Sequence, residues 1–105
     1  MKVSIASRGR KLDPFVRRWI EGRIDAVLGR MSDRIDRVDL VLSEDRGSVG
    51  RCRASIEPLG LPPVVAVQAR VGILAAVSDA IDGAAAQVER SIRRDLAGRA
   101  VEALA

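Results

Sequence analysis

The chain has 105 residues, 18 basic and 14 acidic, with a net charge of +4 and an apolar fraction of 48%. Those figures fit one globular domain over 1–105 and exclude wholesale disorder. Histidine is absent and Cys52 is the only cysteine, which excludes an intramolecular disulfide, a Cys/His zinc site and every histidine-based nucleophile.

Val3 and Ile5 alternate with Lys2 and Ser4, so Lys2–Ser7 reads as a short strand. A basic connector, RGRKL, leads to Asp13-Pro14, which opens a helix as N-cap and first helical residue. That helix is expected over 14–31, because Val16, Ile20, Ile24, Val27 and Met31 form a seam at helical spacing. Trp19, Arg23 and Arg30 fall along one flank of it, and Gly22 and Gly29 each weaken it by about 1 kcal/mol relative to alanine. A second strand is expected over 38–43, with Val38, Leu40 and Leu42 inward, and a glycine-rich loop over 44–50. Residues 51–57 alternate, with Cys52, Ala54 and Ile56 on one face and Arg51 and Arg53 on the other. After a turn at PLGLPP comes a fourth strand over 64–70. The last helix is expected from about Ala76 to near Gly98, followed by a frayed end over 101–105. Val77, Ile81, Ala84, Ala85, Val88 and Ile92 form its apolar stripe; Arg90, Arg93 and Arg94 lie opposite.

The order β-α-β-β-β-α, with one apolar stripe per helix, implies an α+β two-layer sandwich: two helices on one face of a four-stranded sheet. The helix between the first two strands suggests a crossover, so that the first strand pairs in parallel with a neighbour, and the short later connections suggest an antiparallel meander.

Chemistry for catalysis is missing. No phosphate-cradling glycine motif stands between a strand and a helix. Cys52 alternates inward and reads as a buried structural thiol. An enzyme, a cofactor, a metal site and a small-molecule substrate are therefore not expected. No apolar run approaches the 18 or so residues of a membrane span, and the start MKVSIASRGRKLD lacks the apolar centre of a signal peptide. No membrane partner is expected, and the cytoplasm is the default address.

The positive signal is basic. Arg8, Arg10 and Lys11 sit in the connector, Arg23 and Arg30 flank the first helix, and Arg90, Arg93 and Arg94 face outward on the last. All basic residues but Lys2 and Lys11 are arginine, whose planar fork of donors suits phosphate. With Phe15 and Trp19 as the only aromatics, stacking of splayed-out bases is disfavoured, and binding to folded RNA by phosphate and groove shape is the better fit. Asp79, Asp82 and Asp95 share the last helix and dilute its field, and Glu89 is placed to pair with Arg93 at i, i+4.

Three stretches, FVRRWIEGRIDAVLGRM, DRVDLVLSEDRG and AIDGAAAQVERSIRR, together with the element order, resemble the short ribosome hibernation promoting factors. These are the bacterial family of ribosome-associated translation inhibitors. The resemblance implies a protein that occupies the mRNA–tRNA channel of the small ribosomal subunit, contacts rRNA phosphates through basic residues of both helices, and blocks initiation on idle ribosomes. It also implies the short kind of chain, with no C-terminal dimerisation domain. Arg23 and Arg30 match basic positions of the family's first helix; Arg90, Arg93 and Arg94 match the basic end of its last. Departures stand at Gly22 and Gly29, where charged residues are common, and at Ala76 and Ser78, which replace an Asp and an aromatic. The alternative is a diverged, non-enzymatic protein–protein module on the same fold, self-associating through a semi-polar sheet face carrying Val41, Val64 and Ala66.

Overall fold

The computed structural model describes residues 1–9, 11–45 and 47–104. Strand β1 (Lys2–Ser7) leads through α1 (Pro14–Leu28) and a 3-10 segment (Gly29–Arg34) into β2 (Ile35–Asp45). Strands β3 (Val49–Pro58) and β4 (Val64–Val71) follow, and α2 (Ile73–Leu104) closes the chain. The sheet order is β1-β2-β3-β4, with β1 and β2 parallel and the other pairs antiparallel. This is the expected α+β architecture.

Each element follows from local chemistry. Asp13 caps α1 by accepting the Phe15 N–H at 2.7 Å, and Pro14 occupies the first turn, where a missing N–H costs nothing. Ile20, Ile24 and Leu28 are fully buried, each contributing roughly 1.5–3 kcal/mol of burial. The α-helix stops at Leu28 rather than running to Met31. From Gly29 the chain tightens into the 3-10 segment, whose steeper rise still leaves Met31 packed against the core.

A row of cross-strand partners, Ile5–Leu40–Ala54–Ala66, runs across the sheet, and all four are buried beneath the helices. The neighbouring row, Ala6–Val41–Arg53–Val67, lies on the other face. A register shift between Ile35 and Arg37 lets Ile35 and Val38, three apart, both reach the core. The expected loop over 44–50 is shorter in the structure, since β2 pairs out to Asp45 and β3 begins at Val49.

Helix α2 buries Ala76, Val77, Ala80, Ile81, Ala84, Ala85, Val88 and Ile92, which contains the whole expected stripe. It starts three residues earlier than expected. Gly72, at φ +91°, turns the chain out of β4 and donates its N–H to the Ser48 carbonyl at 3.0 Å. It also runs past Gly98 to Leu104. A glycine inside a helix costs only about 1 kcal/mol, and the Arg99–Asp95 ion pair at 3.1 Å spans it at i, i+4.

Candidate nucleic-acid interface

The two helices lie side by side and run in the same direction. Arg23, nine residues on from Pro14, meets Asp82, nine residues on from Ile73. The Arg23 Nη2 donates to both carboxylate oxygens, at 2.8 and 2.9 Å. Arg23 was expected to face a phosphate; here it crosses the interhelical groove to an internal partner. Among the described residues its Nε is the one buried side-chain polar atom without a hydrogen bond.

Because the helices keep step, Arg30 at the end of α1 comes to about the level of Arg90, Arg93 and Arg94 on α2. All four are exposed. Arg93 pairs with Glu89 at 2.7 Å, as the i, i+4 spacing predicts. Arg30, Arg90 and Arg94 have no ion pair among the described residues, and neither does Arg34 at the end of the 3-10 segment. The carboxylates expected to dilute the field of α2 are each taken up by an arginine: Asp79 by Arg70 at 2.8 Å, Asp82 by Arg23, and Asp95 by Arg99. What remains, toward the same end of the helix layer, are exposed arginines with no ion pair among the described residues.

Arg8 and Lys11 lie at the other end, about 20 Å away along α1. They line a cavity of about 420 Å³ beside Glu44 and Asp45, with Leu12 and Ile73 among its apolar walls. Arg10 lies outside the described residues. The predicted cations therefore divide into three exposed arginines without an ion pair among the described residues (Arg30, Arg90, Arg94), two held by carboxylates (Arg23, Arg93) and two distant cations beside Glu44 and Asp45 (Arg8, Lys11).

The open sheet face corrects one expectation. Val64 and Ala66 point inward, with Ala66 only 8% exposed, whereas Val65 and Val67 are 38% and 58% exposed. The inward phase carries Val64 and Ala66 but also Gln68 and Arg70, while the outward phase Val65, Val67, Ala69 and Val71 is wholly apolar, so alternation alone does not identify the face under the helices. Phe15 and Trp19 are surface residues at 69% and 37% exposure; the Asp13-Pro14 start, which fixes the helical phase, signals this for Phe15. Arg18, exposed on α1 and without an ion pair among the described residues, falls outside the flank shared by Arg23 and Arg30, so the flank does not signal it.

Burial pushes the Cys52 thiol up to about 11, so it stays protonated at neutral pH and is no nucleophile. Among the described residues, no three of Cys, Asp and Glu gather as a metal ion would need. No helix among them is long and apolar enough to cross a membrane.

No protein-family model matches the chain, and no curated protein does. Solved structures do. The chain superposes on the N-terminal domain of Thermus thermophilus Protein Y with a TM-score of 0.73 and 22% identity, over 86% of this chain and 98% of that one. It also superposes on a ribosomal subunit interface protein from Coxiella burnetii with a TM-score of 0.75 and 13% identity, over 86% and 96% of the two chains. The fold is shared along nearly the full length of both.

Proposed function

We propose that this chain is a non-enzymatic ribosome-binding factor of the hibernation kind. On this reading it seats its helix layer against phosphates of small-subunit rRNA in the mRNA–tRNA channel and blocks translation while ribosomes are idle. The observation that carries the reading is the trio of Arg30, Arg90 and Arg94, exposed and without an ion pair among the described residues, on a fold shared with a protein described as a ribosomal subunit interface protein. Three guanidinium groups on a rigid helix layer offer planar donors to phosphate oxygens at fixed spacing. Such contacts seat a protein on folded RNA without reading bases. Resemblance of the three sequence stretches to ribosome-associated translation inhibitors supports the same conclusion. The factor then works in the cytoplasm and needs no cofactor.

Sedimentation of cell lysate through density gradients tests this. At low salt the protein should travel with the small subunit, and raising the salt should release it, because phosphate contacts weaken linearly in log salt. A protein that stays at the top of the gradient at low salt refutes the proposal.

A second reading, a protein–protein module, draws on the exposed Val65 and Val67 of the open sheet face. Light scattering beside the RNA-binding measurement separates the two: a stable dimer that ignores ribosomes favours the module.

A further inference from the structure

The Arg23–Asp82 pair is incompletely satisfied. Both Asp82 oxygens take one nitrogen, Nη2, while Nε is buried with no partner. A guanidinium saturated by a carboxylate normally offers two nitrogens in a fork. Asp82 engages half of that fork and strands the rest. Both side chains are nevertheless open to an incoming group, at 36% and 49% exposure. Withdrawing Arg23 from Asp82 would free the stranded Nε to find an acceptor, which offsets part of the loss of the pair. Two turns along α2, Glu89 holds Arg93 through one oxygen at 2.7 Å, an i, i+4 pair within the helix whose arginine is more exposed.

We propose that Asp82 is an affinity-setting residue. It is an internal counter-ion that competes with RNA phosphate for Arg23, so binding proceeds by exchange of one acceptor for another; Glu89 does the same for Arg93. This rests on the ribosome-binding reading above. The arginines of the helix layer thereby fall into two classes. Arg30, Arg90 and Arg94 are available at once, whereas Arg23 and Arg93 must first give up a carboxylate.

The test uses the full chain and purified bacterial small ribosomal subunits, with affinity measured across a salt series. Asp82→Asn should bind about tenfold tighter at fixed salt, the worth of one charge-assisted hydrogen bond. Its slope of log affinity against log salt should change by less than about one, because Arg23 reaches the same phosphate in both chains and only the cost of leaving Asp82 is removed. In an Arg23→Ala background, Asp82→Asn should bring no such gain. Asp25→Asn removes the same charge from an exposed carboxylate with no ion pair among the described residues, and should shift affinity less than about twofold, as expected of a screened charge. Thermal melts check that each variant folds; if Asp82→Asn does not, Glu89→Gln with and without Arg93→Ala carries the same test. Equal or weaker binding by the amide variant overturns the proposal, and so does an equal gain in the Arg23→Ala background. A parent chain that fails to bind at any salt overturns the ribosome reading itself, which is why it is measured first.

Discussion

Gly50→Ala is a one-carbon perturbation with a worked consequence. Gly50 sits on β3, buried under the start of α2, and its φ is not positive; what it needs is space. A Cβ there would lie 2.5 Å from the Ile73 Cα, 2.8 Å from the Ile73 N and 3.1 Å from the Gly72 carbonyl carbon. All three are backbone atoms, so no side-chain rotation relieves the clash. The first turn of α2 must move by about 1 Å to restore ordinary contact. That movement strains the Gly72–Ser48 hydrogen bond and the Ala76–Gly72 bond that opens the helix. Overpacking costs about 1–3 kcal/mol and a weakened backbone bond about 1 more, so a loss of roughly 2–4 kcal/mol is expected. For a domain of this size that lowers Tm by about 10–25 °C. Gly83→Ala is the matched control: its Cβ would meet only the Ala66 Cβ, at an ordinary 3.6 Å. Gly83 lies inside α2, so alanine there should gain up to about 1 kcal/mol. Melting curves by circular dichroism read both. A Gly50→Ala variant that melts within about 2 °C of the parent, well under the shift expected for 1 kcal/mol, refutes the packing argument.

Replacing Arg30, Arg90 and Arg94 together by alanine should leave Tm nearly unchanged and flatten the salt slope of ribosome binding by about 2–3; Arg70→Ala, whose guanidinium is held by Asp79, should change neither. Asp13→Ala removes the acceptor of the Phe15 N–H and should cost about 1 kcal/mol in a denaturant titration. Because burial raises the Cys52 thiol from 9.0 to about 11, the unfolded chain loses this proton first as pH rises. Stability should therefore be fully present below pH 9 and fall by up to about 3 kcal/mol towards pH 11. Cys52→Ala should start less stable and show a flatter alkaline limb in the same titration.

Much of the fold is legible because apolar spacing reports burial directly. Every member of the expected α2 stripe is buried, and the alternation of Cys52, Ala54 and Ile56 sets the inward face of β3. Element ends were less legible, for local reasons. Gly29 and Gly98 carry the same signal, yet α1 ends at the first and α2 continues past the second. What separates them is context: a 3-10 segment that keeps Met31 on the core in one case, a spanning ion pair in the other. In β4, Val64 and Ala66 are interchangeable with Val65 and Val67 as an apolar set, so the buried face follows from pairing with β3 rather than from the segment. Of the site, the exposed arginines of α2 were readable from helical phase. The fate of Arg23 was not, because its partner is 59 residues away and meets it only once both helices lie on the sheet.

The length of α2 turns a local contact into an angular constraint. It is one continuous rod of 32 residues, about 48 Å long, seated at its first residue against the glycine of β3. Pivoted there, a tilt of only about 5° would carry Arg94, roughly 31 Å along the rod, sideways by nearly the length of a hydrogen bond. Burial of Val88 and Ile92 holds the rod beside the arginines as well, so the aim of the basic end is set by two seats, one of them at a glycine that carries no charge at all.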